Sequence, residues 1–230
     1  MKAVILAAGK GTRMLPLTKD KPKHLIEILG KPFLYYLLKE VSKSFKEIAI
    51  IVSYKKEMIE KFLERYKFNA GLIPQDQPLG TGHAVMQARG FADDEEFVVL
   101  MGDNLYSSKD LEMIKSLPGN QIGAFRVKDP ENYGVLVTDN SRLIEIVEKS
   151  PNPPSNLINT GLYKFTPEIF DALDKIEKSE RGEYEITSAI SILAKQKKVK
   201  IFPLKLWIDF GKIEDIKKIE RFLNENISRL

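Results

Sequence analysis

Apolar residues fall in unbroken runs through the first hundred positions and in short, interrupted runs thereafter. "KAVILAA" (Lys2 to Ala8), "EIAIIVS" (Glu47 to Ser53) and "EFVVLMGD" (Glu96 to Asp103) show almost no polar alternation. Strands of that kind are buried on both faces, which places them in a parallel sheet covered by helices. The stretches between them supply the helices. "PFLYYLLKEVSKS" (Pro32 to Ser44) repeats its apolar positions at helical spacing behind an initial proline, and "KKEMIEKFLERY" (Lys55 to Tyr66) adds opposite charges at i,i+4. "AGLIP" reads as a short strand, and after the loop "QDQPLGT" a helix starts at "GHAVMQAR".

The second half has a different texture. "IGAFRV", "YGVLVT", "LIEIVE" and "LINTGLYKF" are strand-like pieces broken by Asp-Pro, Asn and the proline-rich "SPNPPSN". Helices return in "PEIFDALDKI", in "EITSAISILAKQ" and in an amphipathic stretch from about Lys212 to Asn226. The pattern predicts an α/β fold: a Rossmann-like, doubly wound, mostly parallel sheet with a small strand-rich subdomain beside it. Residues 1–230 are expected to form one unit, divided near residue 120, with no repeats and no long linker.

Composition narrows the function classes. The chain has 36 basic and 32 acidic residues, a net charge of +4, so a bulk electrostatic binder of nucleic acid or membrane is not expected. There is no cysteine, which excludes disulfides, thiolate nucleophiles and Cys-ligated zinc. The run Ala3 to Ala8 is too short for a signal-peptide core and no stretch reaches membrane-spanning length, so a cytoplasmic location is expected.

In open parallel sheets, ligands bind beyond the carboxyl ends of the strands. The first such end carries "LAAGKGTRM" (Leu6 to Met14). Its glycine spacing is not that of a P-loop, and Met14 stands where a dinucleotide fingerprint has a third Gly or Ala. Gly9 and Gly11 nevertheless let backbone N–H groups approach a bound group, Thr12 adds a hydroxyl and Arg13 a fork of donors suited to phosphate. Lys21 and Lys23 follow on the same end. Asp103 closes another buried strand, where a carboxylate suits a divalent ion bridging polyphosphate oxygens. Asp209, in "LWIDFG", has apolar neighbours and so needs a partner or a metal. "DFG" also occurs in protein kinases, but the rest of that signature is missing. Glu148 suits sugar hydroxyls and Lys149 a phosphate. Each of these segments, with Asn159 to Gly161, also reads as an ordinary turn or a solvated strand end. His24 and His83 are the only histidines and make a poor metal pair; His24 is read as structural or behind the site, His83 as lying near a helix start. No Ser–His–Asp or Cys–His arrangement implies a covalent intermediate.

Taken in order, the segments resemble sugar-1-phosphate nucleotidylyltransferases, the pyrophosphorylases that make NDP-sugars. "LAAGKGTRMLPLTKDKPKHL", "PQDQPLGTGHAVMQA", "MGDN", "PENYGVL", "IVEKSPNPPSNLINTGLYKF", "RGEYEITSAI" and "WIDFG" follow in the family's order over nearly the whole chain. The similarity is strongest to glucose-1-phosphate thymidylyl- and uridylyltransferases. It implies the family's GT-A-like nucleotidyltransferase fold. It also implies that Leu6, Ala8 and Gly9 lie along base and ribose, with Gln75 and Gly80 on the pyrimidine edge and Thr81 beside them. Gly11, Thr12 and Arg13 would hold the triphosphate, Lys23 the α-phosphate, and Asp103 and Asp209 a Mg²⁺ ion. Tyr133, Gly134, Glu148 and Asn159 would contact the hexose and Lys149 its phosphate. The chain departs from the usual pattern at Glu27, at Met14 and after "WIDFG", where Thr-Pro is absent; none of these is an inferred catalytic side chain.

The implied partners are UTP or dTTP and a sugar 1-phosphate, with a homo-oligomer possible and no nucleic acid or membrane. A phosphate monoester is already mostly dianionic at neutral pH, so direct in-line displacement needs no general base. It needs cations that bring two polyanions together and stabilise the leaving pyrophosphate. A cytidylyltransferase for another sugar or alcohol phosphate and a catalytically silent regulatory homologue are the alternatives. The expected last helix runs to Leu230, and no C-terminal β-helix domain is expected.

Overall fold

The computed structural model describes residues 1–226. The first half contains β1 (Lys2–Leu6), β2 (Glu27–Ile28), β3 (Lys31–Pro32), α1 (Phe33–Ser44), β4 (Ile48–Val52), α2 (Lys56–Tyr66) and β5 (Gly71–Pro74). Then come α3 (Thr81–Met86), α4 (Arg89–Ala92), β6 (Phe97–Met101), β7 (Asn104–Tyr106) and α5 (Ser108–Ser116). The second half contains β8 (Asn120–Arg126), β9 (Gly134–Asp139), β10 (Arg142–Glu148), β11 (Leu157–Phe165) and α6 (Glu168–Leu173). It closes with α7 (Ile186–Lys195), β12 (Val199–Pro203), β13 (Trp207–Asp209) and α8 (Asp215–Asn226). The part of the expected last helix beyond Asn226 lies outside the described residues.

Nine strands make one sheet in the order β5-β4-β1-β6-β11-β8-β12-β10-β9. Strands β5, β4, β1 and β6 are parallel throughout. The unbroken apolar runs have a direct cause: Ala3 and Ile5 enter one core, Val4 and Leu6 the other. Helices α1, α2, α5 and α8 supply Phe33, Leu37, Phe62, Ile114 and Leu223 to the first core. Helices α3, α6 and α7 supply Val85, Phe170 and Ile190 to the second. At about 1.5–3 kcal/mol for each fully buried large apolar side chain, these two layers fix the sheet.

The second half joins the same sheet edge-on. Strand β11 runs antiparallel to both β6 and β8, and β8 carries β12 in parallel, so the interrupted strands extend the parallel part. Between Asn159 and Tyr163 the register of β11 shifts; Gly161 has φ +72° there and a Cβ would run into the Met101 side chain, so the position requires glycine. The helix expected from "GHAVMQAR" divides into α3 and α4. Strands β12 and β13 and helix α5 arise where the apolar pattern gave no clear signal.

Candidate active site

A cleft of about 560 Å³ opens at the carboxyl ends of β1 and β6. Leu6, Ala8, Gly9, Gly11, Thr12, Arg13, Lys23, Gln75, Gly80, Thr81 and Asp103 all line it, so every residue expected on the nucleotide side is brought together. Gly9 has open space where a Cβ would be. Gly11 has φ +65°, and a Cβ would press on Lys23 and Thr18 at 3.0 and 3.1 Å. Thr18 closes the loop by donating from Oγ1 to the Gly11 carbonyl at 2.9 Å. The backbone after β1 is therefore folded back tightly, with Arg13 on a 3₁₀ turn (Thr12–Met14) at its outer side.

The far wall is stitched from two distant segments. Gly80 has φ +103°, and a Cβ would stand 2.6 Å from the Tyr184 carbonyl oxygen, so only glycine fits. Gly82 donates to that carbonyl at 2.8 Å, Tyr184 donates to Leu79 O at 2.7 Å, and Thr81 Oγ1 accepts from Ile186 N at 3.1 Å. Buried Gln75 is fixed beside this wall: its Nε2 donates to Gly80 O at 3.1 Å and lies 2.9 Å from His83 Nδ1. His83 is in the first turn of α3.

At the base, Lys23 Nζ donates to Asp103 Oδ2 at 2.8 Å and lies 5.6 Å from the centre of the Phe210 ring. Burial alone would raise the Asp103 carboxyl; Lys23 outweighs it and holds the group below the usual carboxylate range. His24 is buried beside Gly102, and burial depresses its imidazole to about 4, so it is neutral at pH 7. Asp209 reaches the site from elsewhere. Strands β7 and β13 form a separate antiparallel ladder in which Asn104 pairs with Asp209, and Phe210 N donates to Asp103 O at 2.9 Å. Burial and the facing Asp103 push the Asp209 carboxyl up to about 6. A carboxylate pair strained in this way fits a divalent cation, and two carboxylates with phosphate oxygens and water make a suitable Mg²⁺ donor set. Among the described residues no group of three or more His, Cys, Asp or Glu forms a metal cluster.

The residues expected on the sugar side assemble away from the cleft lining. Glu148 pairs with Gly134 across β9 and β10, and a Cβ at Gly134 would stand 2.9 Å from Glu148 Oε1. Lys149, at φ +43°, donates from its backbone N to Tyr133 O at 3.1 Å. Burial and neighbouring Glu185 raise the Glu148 carboxyl, against a hydrogen bond from Thr187. The Tyr133 ring meets Trp207 edge-on at 5.4 Å between centres, and burial, then Asp209, pushes its hydroxyl up to about 12. Asn159 is held within β11: its Oδ1 accepts from Gly161 N at 3.0 Å and its Nδ2 donates to Tyr163 OH at 2.9 Å. Lys10, Pro78, Glu183 and Gly211 also line the cleft, though the sequence did not single them out. Lys10 lies between the two loop glycines, a placement that marks it in retrospect.

The geometry agrees with three kinds of comparison. A family model described as nucleotidyl transferase matches residues 2–226. The chain is 41% identical to a bifunctional protein GlmU of Methanocaldococcus jannaschii, over 99% of this chain and 55% of that protein, and so spans about half its length. It is 36% identical to UTP–glucose-1-phosphate uridylyltransferase AglF of Haloferax volcanii, covering 100% of this chain and 99% of the other. A solved UDP-glucose pyrophosphorylase complexed with UDP-glucose superposes with a TM-score of 0.86 at 25% identity, over 98% of both chains.

Proposed function

The chain belongs to the nucleotidyl transferase family, and from that premise we propose that it joins a nucleoside triphosphate, UTP or dTTP, to glucose 1-phosphate, releasing pyrophosphate. The observation that carries the reading is one cleft that gathers every nucleotide-side residue, with the sugar-side cluster tied to it through β13. The glycine loop and the Lys23–Asp103 pair face a cleft of nucleotide size, and the β7–β13 ladder links that pair through Asp209 to the Tyr133, Glu148 and Lys149 side. Relatives named for glucose 1-phosphate and UDP-glucose support this choice of substrates.

In this reading the loop amides at Gly9 and Gly11, with Thr12 and Arg13, hold the triphosphate, and Leu6 and Ala8 flank base and ribose. Gln75 presents its amide to the base from a fixed orientation. Lys23 neutralises charge at the α-phosphate, where the sugar-phosphate oxygen attacks and pyrophosphate leaves. Lys149 holds the sugar phosphate and Glu148 accepts from hexose hydroxyls. Asp103 and Asp209 would hold Mg²⁺, which would supply charge neutralisation on the phosphates. The displacement needs no protein nucleophile, and rate enhancement comes from positioned positive charge.

The test is pyrophosphate release with Mg²⁺ and glucose 1-phosphate across UTP, dTTP, CTP, ATP and GTP. Release with UTP or dTTP is expected. Release with CTP alone moves the protein to a cytidylyltransferase role, and silence with every nucleotide, repeated with other sugar phosphates, overturns the enzymatic reading.

A further inference from the structure

Strand β13 is three residues long, and its ladder with β7 does little by itself to fix the Asp209 carboxylate. Two buried acids outside the cleft hold the strand from both sides. Asp110, fully buried in the first turn of α5, accepts at Oδ2 from the backbone N–H of Lys205 and Leu206, each at 3.1 Å, just before β13. Asp215, in the first turn of α8, accepts at Oδ2 from Gly211 N at 2.9 Å and Lys212 N at 2.8 Å, just after it. Burying a carboxyl group is costly unless hydrogen bonds compensate, and here much of the compensation comes from the backbone around one short strand.

Capping explains only part of what Asp110 does. Ser107 accepts from Asp110 N at 3.1 Å and donates from Oγ to Asp110 Oδ2 at 2.9 Å, yet the same oxygen also reaches a segment 95 residues away, which the cap does not require. Asp110 Oδ1 has no hydrogen-bond partner among the described residues. A third tie points the same way. Trp207 Nε1 and Tyr106 OH, opposite each other in the β7–β13 ladder, both donate to the Thr160 carbonyl, at 3.1 and 2.9 Å.

We infer that Asp110 and Asp215 are positioning residues that clamp β13 at both ends and so set the separation of the Asp103 and Asp209 carboxylates. The inference rests on the reading of those two acids as ligands of a divalent ion. Mg²⁺ demands near-ideal octahedral oxygen geometry, so a shift of a few tenths of an ångström at Asp209 is felt at the ion.

The experiment is Mn²⁺ binding followed by electron paramagnetic resonance, without nucleotide, at a temperature where each variant is folded by circular dichroism. D209N tests the premise, D110N and D215N test the clamp, and K164M controls for stability, because the buried Lys164 ammonium pairs with the partly exposed Glu96 carboxylate at 2.8 Å, outside the cleft lining. The Asn variants keep an acceptor oxygen toward the N–H groups but lose the charge that strengthens those bonds, and are the ones expected to fold; D110A and D215A remove the bonds outright. We expect D209N to lose Mn²⁺, D110N and D215N to bind severalfold more weakly, D110A and D215A, where folded, at least tenfold more weakly, and K164M to bind as wild type. Wild-type binding by folded D110N and D215N, with D209N impaired, overturns the clamp alone. Wild-type binding by D209N overturns the metal-site reading and the clamp with it. Equal weakening in K164M would show a general stability effect and also overturn the clamp.

Discussion

Substituting Asp103 by Asn replaces the charged partner of Lys23 while preserving shape. The Lys23 side chain is 6% exposed and that of Asp103 23%, with 2.8 Å between Nζ and Oδ2. At that distance and an effective dielectric near 20, the Coulomb attraction is about 6 kcal/mol before desolvation is subtracted. Removing one member of a buried pair typically costs about 3–5 kcal/mol, because the other charge is left uncompensated. Phe210, 5.6 Å from Nζ, and the Coulombic reach of Asp209 offset part of that, so we expect a loss of about 2–3 kcal/mol. For a chain of this size that lowers the melting temperature by roughly 4–12 °C. Adding Lys23→Met removes the stranded ammonium, so the double variant should melt above Asp103→Asn alone. Calorimetry of the four members of the cycle gives the coupling directly. Turnover, measured in parallel at saturating Mg²⁺, should fall by orders of magnitude in both Asp103 variants. A double variant that melts at or below Asp103→Asn would refute the account of Lys23 as a buried, Asp103-dependent charge. Near-normal turnover in Asp103→Asn would remove that residue from the reaction.

Other outcomes follow from the same geometry. Lys149→Ala should raise KM for the sugar phosphate at least tenfold and leave the nucleotide KM within about twofold; the reverse pattern would place Lys149 on the wrong substrate. Gly80→Ala, facing a backbone oxygen at 2.6 Å from a left-handed φ, should destabilise by about 3 kcal/mol or more, whereas Gly9→Ala, with open space around it, should stay within about 0.5 kcal/mol of wild type but bind nucleotide more weakly. Urea titrations of both would expose an error in either half. For the metal-free protein, the His24 imidazole is depressed from 6.5 to about 4, so the unfolded chain takes up a proton that the folded one refuses. Stability from this group is therefore intact above pH 6.5 and falls as pH drops toward 4, by up to about 3 kcal/mol. His24→Gln should flatten that limb of the stability–pH curve, and an unchanged slope would contradict the burial argument.

The parallel half was legible because β1, β4 and β6 are buried on both faces and need no partner to announce themselves. The second half was harder. Whether β8 to β12 form a separate layer or extend the sheet depends on β11 pairing with both β6 and β8, which local periodicity does not encode. In the site, Gly9, Gly11 and Asp103 could be placed together from the sequence because each terminates a recognisable strand. Asp209 was found through its apolar neighbours and through the resemblance of its segment, not through any strand that it terminates. Asp110 and Asp215 each stand in a helix's first turn, where an acid looks like ordinary dipole compensation, and their second role appears only when distant backbone is folded against them.

The position of β11 has a consequence for how the protein comes into being. Strand β6 is complete at Met101, yet its outer neighbour is not synthesised until Leu157–Phe165. A nascent chain of about 150 residues therefore carries β6 with a bare, apolar edge, the kind of surface that invites pairing between chains, and still lacks α6 and α7, which cover one face of the sheet. Strand β8, made in the interval, has its own register with β11 and with β12, so it does not cap that edge early. Emergence of β11 is thus the event that both seals the growing sheet and locks the later strands to it.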